Sequence, residues 1–154
     1  MAIATLKDAI RLNYYAGDVT PVIVTPADHD RFMLSVKDAA LACQAGSDYV
    51  AFYQQFEKRL LPRLAAWLTE HKEKVHQAFV SVREGGLLFL VVRQQARYDA
   101  EFTDDLSALD AEIARNPEFN MIRLDVLALP LVSDEGARSF LNPEAVMVFH
   151  AKPR

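Results

Sequence analysis

The spacing of hydrophobic and polar positions changes period near the middle of this chain. Leu6, Ile10 and Tyr14 recur four residues apart, and Gly17 follows where a left-handed residue often closes a helix, so residues 5–16 predict a first helix. Residues 21–24 read as a short extended piece. Thr25 then suits an N-cap, Pro26 the first helical position, and Asp28 an acidic variant of the capping box. Phe32, Met33, Val36, Ala40 and Cys43 form the stripe of this second helix, which Gly46 ends. A third helix begins at Ser47 and carries Tyr49, Phe52, Tyr53, Phe56, Leu60, Leu64, Trp67 and Leu68 on one face. The phase runs through Pro62 unbroken. That argues for one kinked helix to about residue 74, although helices also tend to stop just before a proline, here near Leu61.

Beyond residue 76 the pattern is that of a sheet. Residues 78–83 and 87–93 flank Glu84-Gly85-Gly86, a hairpin signal. With Gly85-Gly86 as a two-residue turn, Glu84 would face Leu87, Val82 would face Phe89 and Val80 would face Val91. Leu87-Leu88-Phe89-Leu90-Val91-Val92 does not alternate, as expected of a strand covered on both faces. Phe102, Leu106, Leu109 and Ile113 predict a helix over Ala100–Arg115, ended by Asn116-Pro117. Ile122, Leu124, Val126 and Ala128 alternate with Arg123 and Asp125 in a third strand, and residues 145–150 read as a last one; residues 129–142 read as loop or a short helix. A helix joining two strands of one sheet implies a parallel pair. The fold class is therefore α+β, with about three N-terminal helices packed on a small C-terminal mixed sheet of ββαββ order. One domain is expected over residues 1–154, its helical half to about residue 76 and its sheet half from about residue 77.

Composition keeps that reading and narrows the function classes. The chain has 154 residues, 51% hydrophobic and 25% charged, and so can bury a core without a disulfide or metal staple. A single cysteine excludes an internal disulfide. Lys7, Asp8 and Arg11 interrupt the opening residues, which therefore do not form a secretory leader, and residues 87–92 are far short of the roughly 20 apolar residues that span a bilayer. A soluble, cytoplasmic protein is expected. The first 76 residues balance nine basic against nine acidic side chains, and the remainder carries the whole net charge of −4. No basic stripe offers itself to phosphate backbones, so nucleic acid is not the expected partner.

Candidate chemistry is sparse. Cys43 lies on an apolar stripe, where cysteine behaves as a small hydrophobe. His71 and His76 are five apart, about 140° around a helix and not the i, i+4 spacing of a zinc pair. His71 suits a helix C-terminus, and His29 shares the phase of Phe32 and Val36, as a half-buried residue would. His150 stands in the last strand. The acidic run Asp99, Glu101, Asp104, Asp105, Asp110 and Glu112 offers paired carboxylates, yet Asp104, Asp105 and Asp110 avoid the apolar stripe and are expected in water. Gly85-Gly86 joins two strands and lacks the lysine of a phosphate loop. Lys58, Arg59, Arg63, Lys72 and Lys74 are interleaved with Glu57, Glu70 and Glu73, the pattern of a salt-bridged solvent face.

The aromatic stripe of the third helix is the most informative feature. It reads as a core face, or as a face whose tyrosines border a contact surface. Tyr49, Tyr53, Trp67, Arg93 and Arg97 are the candidate interface or ligand-binding residues, the two arginines standing where the buried strand exits. With no catalytic motif, no metal set and no cofactor implied, the reading leans towards a non-catalytic protein-interaction module. That module would be a homodimer, or a small acidic adaptor, inhibitor or immunity-type partner of another protein. The alternative is a small-molecule-binding or regulatory domain with a pocket between the aromatic helix and the sheet.

Overall fold

In a computed structural model of the chain, residues 9–15, 22–44 and 49–152 are described. Among these residues eleven strands and α-helices follow one another: β1 (Ile10–Tyr15), β2 (Ile23–Val24), α1 (His29–Ala42), α2 (Tyr49–Gln55), α3 (Leu61–Glu70), β3 (Val75–Arg83), β4 (Gly86–Arg93), α4 (Ala100–Arg115), β5 (Leu124–Leu129), α5 (Asp134–Arg138) and β6 (Val146–Lys152), with a π-helical turn at Phe56–Leu60 between α2 and α3. The strands form one mixed sheet in the order β2-β1-β6-β3-β4-β5. The α+β class stands, but the order of helices before sheet does not. Two N-terminal strands precede the first helix and join the same sheet, β1 lying parallel to β6.

The first expected helix is the main correction. Residues 10–15 form a strand, and residues 5–8, with Ala16 and Gly17, lie outside the described residues. A spacing of four fits a helix and a strand alike. Arg11 and Asn13 between Ile10, Leu12 and Tyr14 decide for the strand, since Ile10, Leu12 and Tyr14 are all buried on one face. The extended piece at Ile23–Val24 pairs antiparallel with β1.

Asp28 does not cap its helix. Pro26–Asp28 forms a single 3-10 turn ahead of α1, and the Thr25 hydroxyl accepts from Asn13 Nδ2 at 2.8 Å instead of capping. The Asp28 carboxylate, 2% exposed, accepts from the Arg11 backbone N–H at 2.9 Å, from Arg11 Nε at 2.9 Å and from Arg31 Nη2 at 2.8 Å. It thereby ties β1 to α1. The α1 stripe is otherwise as expected, with Phe32, Val36, Ala40 and Cys43 buried and Met33 packed partly against them. Gly46 and Ser47 fall outside the described residues.

Helix stands on both sides of Pro62. The means is the π turn, where the Leu61 N–H donates to the Phe56 carbonyl five residues back. Widening the turn ahead of a proline makes room for its ring and its missing N–H. Phe52, Phe56, Leu60, Leu64, Trp67 and Leu68 stay on one buried face. The helix ends at Glu70 rather than near residue 74, because residues 71–74 turn into β3.

The hairpin forms with a different register. Val82 faces Leu87, Val80 faces Phe89 and Ala78 faces Val91, so Glu84-Gly85 is the turn and Gly86 belongs to β4. Gly85 supplies the positive φ, at 86°. Gly86 is required for another reason. A Cβ there would lie 2.5 Å from the Arg123 carbonyl oxygen, which accepts from Leu87 N–H as β5 begins. Partners shift by two residues, so each side chain keeps its face. Ala78, Val80, Val82, Leu87, Phe89 and Val91 meet helices α1 to α4, and Phe79, Leu88, Leu90 and Val92 meet Ala137 and Leu141 on the other side. Every residue of β4 is buried, as its unalternating sequence predicts. The β4 and β5 strands run parallel across α4, which spans the expected Ala100–Arg115.

Two predictions follow from this packing. Asp28→Asn should cost about 2 kcal/mol at pH 7, the scale of charge-assisted hydrogen bonds whose arginine partners remain half in water. Arg11 hydrogen bonding holds the folded Asp28 carboxyl well below its ordinary 3.8. As pH falls through the ordinary value the unfolded chain takes up the proton first, so the wild-type advantage is present above that range and shrinks below it. Urea melts at pH 7 and pH 3 check this; an equal gap at both would contradict it. Gly86→Ala should destabilise by about 1–3 kcal/mol through contact with the Arg123 backbone, read by the same melts.

Candidate functional site

The parallel arrangement of β4 and β5 brings the carboxyl ends of both strands to one edge of the molecule, beside the N-terminus of α4. Open sheets of this kind commonly hold ligands outside the carboxyl ends of their strands. A cleft of about 460 Å³ opens there, lined by Glu73, Lys74, Arg93, Gln94, Gln95, Arg97, Tyr98, Asp99 and Ala100. Backbone hydrogen bonds hold its rim. Gln94 N–H donates to Lys74 C=O at 2.9 Å and Leu131 N–H to Gln95 C=O at 3.0 Å, while Gln94 Nε2 reaches Val75 C=O at 3.0 Å.

Arg93 forms the floor. It is the last residue of the buried strand β4 and only 7% exposed. Its Nη1 donates to the Arg97 carbonyl oxygen. Among the described residues no carboxylate forms an ion pair with it. Nε and Nη2 make no hydrogen bond to the described residues, and Arg93 lines the cleft. Arg97 and Tyr98 stand on the exposed rim, Tyr98 at 73%.

One of the two carboxylates lining the cleft is already engaged. Asp99 caps α4, accepting from Phe102 N–H at 3.0 Å, and pairs with Lys74 Nζ at 3.4 Å. The Phe102 N–H, with Lys74 and Arg93, draws its carboxyl below the ordinary value.

A second cleft of about 450 Å³ shares Glu73 and Lys74 with the first and is lined also by His71, Glu101 and Asp105. His71 stacks on Trp67 at 4.0 Å between ring centres. Its Nδ1 lies 2.8 Å from the Trp67 carbonyl oxygen and its Nε2 lies 3.2 Å from Asp105 Oδ2. A hydrogen-bond acceptor thus stands at each ring nitrogen. This histidine fastens α3 to α4. Asp105 and Asp110 are half-buried rather than fully in water, and burial with nearby Asp125 raises the Asp110 carboxyl above its usual range.

The candidate residues read from the sequence divide between three places. Arg93 and Arg97 share the first cleft. Trp67 is buried at the centre of a ring cluster with His71, Phe89 and Phe102. Tyr49 and Tyr53 lie at the margin of the core, their rings 6.4 Å apart, with Phe52 and Phe56 stacked and fully buried beside them. The Tyr49 hydroxyl is sealed without a partner among the described residues. Burial and a hydrogen bond with Glu57 push the Tyr53 hydroxyl up to about 12. No residue of the aromatic helix lines the Arg93 cleft, which opens at the sheet's end and not between helix and sheet.

The remaining candidates are structural. The Cys43 thiol is buried against the Arg123 backbone, and burial pushes its pKa up. His29, His76 and His150 are exposed, His29 because the 3-10 turn at Pro26–Asp28 puts it at the outer start of α1 rather than in its buried stripe. Lys58, Arg59, Arg63 and Lys74 pair with Glu57, Glu118, Glu112 and Asp99. Among the described residues, no group of three or more His, Cys, Asp and Glu is placed to hold a metal ion, and no helix is long and apolar enough to cross a membrane.

Sequence reading missed Lys74, Tyr98 and Asp99 as one group. The signal available was an arginine ending a wholly apolar strand, followed within six residues by a helix-capping aspartate. Comparison of the chain with protein-family models, curated proteins and solved structures returns no match.

Proposed function

We propose that this protein is a non-catalytic binding domain that holds a small molecule in the cleft at the end of β4. The observation that carries this reading is the floor of that cleft, an arginine more than nine-tenths buried at the end of the fully buried strand β4. Proteins rarely bury a charge without a paired group. Rim side chains of both charges and the open face of Tyr98 offer the mix of polar anchors and flat apolar surface that ligand sites use.

Ligand screening by amide NMR tests the reading. A bound compound should move the resonances of residues 73–74 and 94–100 first. Tyr98→Ala should weaken it at least about five-fold, roughly 1 kcal/mol, with little change in melting temperature because Tyr98 stands in water. Perturbation confined to other surfaces, or an unchanged affinity in Tyr98→Ala, would contradict the reading.

A protein-interaction role, as a homodimer or with another protein, is the second reading. The exposed Val50, beside Tyr49 at the margin of the core, favours that role at the start of α2. Tyr53→Ala should then weaken self-association or partner capture by about 1–2 kcal/mol in sedimentation, with the fold intact. Association unchanged by Tyr53→Ala would remove this second reading.

A further inference from the structure

The way Arg93 is held narrows the ligand. A guanidinium has five N–H donors in a rigid fork. In this protein one corner is spent, Nη1 donating to the Arg97 carbonyl oxygen. That bond fixes the plane of the group, and its other side, Nε and Nη2, makes no hydrogen bond to the described residues on a side chain that lines the cleft. Two parallel N–H bonds on one side of a guanidinium match two oxygens of a single carboxylate or phosphate. A neutral ligand would use the donors and leave the charge uncompensated in its buried position.

The charges around the fork agree. The cleft is lined by three cations, Lys74, Arg93 and Arg97, and two carboxylates, Glu73 and Asp99. Lys74 and Asp99 pair with each other. Asp99 also spends an oxygen on the Phe102 N–H, so neither of its oxygens turns to Arg93. Glu73 is then the one lining carboxylate not ion-paired among the described residues, Asp99 acting on Arg93 only beyond ion-pair distance, so the cleft keeps a local excess of one positive charge. The α4 N-terminus adds its own partial positive charge at Ala100, on the wall of the same cleft.

We infer that the ligand of this cleft presents an oxyanion, seated side-on across Nε and Nη2 of Arg93 with Arg97 as the second cation. The inference rests on the cleft being a ligand site and adds the chemical class. Carboxylates and phosphates share this chemistry, and tightness separates them, since a carboxylate fills the fork with both of its oxygens and a phosphate leaves further oxygens for Arg97. Tyr98 on the rim suits a flat or apolar body behind the anionic head.

Titration of the full chain with inorganic phosphate and with acetate, at constant ionic strength against chloride, tests the inference. The readouts are the Arg93 Nε–H resonance and the melting temperature. One of the two anions is expected to shift that resonance saturably and raise the melting temperature. Tighter phosphate would assign a phosphorylated ligand, and tighter acetate a carboxylic acid. Arg93→Lys keeps the charge and loses the fork, and should weaken binding at least ten-fold. Arg97→Gln, at an exposed position, should weaken it several-fold with the fold intact and serves if the Arg93 variant does not fold. No saturable anion effect beyond chloride, or equal binding by Arg93→Lys, would overturn the inference. If neutral compounds move the amides of residues 94–100 while the Arg93 Nε–H stays still, the oxyanion is wrong and the ligand cleft stands. If no compound of any charge moves those amides, both fail.

Discussion

The complete burial of β4 is the constraint on which the rest of the structure depends. Eight consecutive residues from Gly86 to Arg93 are buried. A strand without a wet face must lie inside the sheet with a layer on each side. Leu87, Phe89 and Val91 are covered by α1 to α4, and Leu88, Leu90 and Val92 by α5 and the segment that follows it. Because α4 connects β4 to a parallel β5, the covered strand ends beside a helix N-terminus. The burial that stabilises the apolar run also surrounds the guanidinium that ends it. A buried charge with one carbonyl partner is costly, and that cost is the physical basis for placing a ligand there.

The two ends of the sheet are secured differently. At the β1 side a buried carboxylate is fully served: Asp28 takes hydrogen bonds from Arg11 backbone and side chain and from Arg31. At the β4 side a buried guanidinium is served once, by a backbone oxygen. The first arrangement joins β1 to α1. The second leaves donors open to a cleft. That contrast between a satisfied and an unsatisfied buried ion separates structural polarity from candidate function in this molecule.

Much of the fold was legible in the sequence because local signals agreed with it. Asp99 and Asn116-Pro117 bracket α4, the run from Leu87 to Val92 announces a doubly covered strand, and phase continuity carries the third helix past Pro62. The failures come from signals that fit two structures or depend on distant residues. Ile10 and Tyr14 sit four apart in either a helix or a strand; the alternation with Arg11 and Asn13 favours the strand, and pairing with β2 and β6 holds it. The Gly85-Gly86 pair looks like a turn, but the Arg123 carbonyl, far along the chain, is what demands glycine at residue 86. The site was half legible. Arg93 and Arg97 stand out at the exit of an apolar strand, while Lys74 reaches them only through the pairing of Val75 with Arg93 across β3 and β4. Tyr49 and Tyr53 were legible as edge residues because their hydroxyls interrupt an otherwise apolar stripe.

The central claim is that the buried Arg93 guanidinium stands ready for an anion supplied from outside the chain. A crystal structure with selenate diffused into the lattice addresses it most directly, since selenium scatters anomalously and marks the anion without ambiguity. The account predicts an anomalous peak in the cleft with selenate oxygens at hydrogen-bond distance from Arg93 Nε and Nη2, and Nη1 still on the Arg97 carbonyl. A cleft without selenium, with Arg93 turned into an ion pair with Asp99 or Glu73, would contradict it.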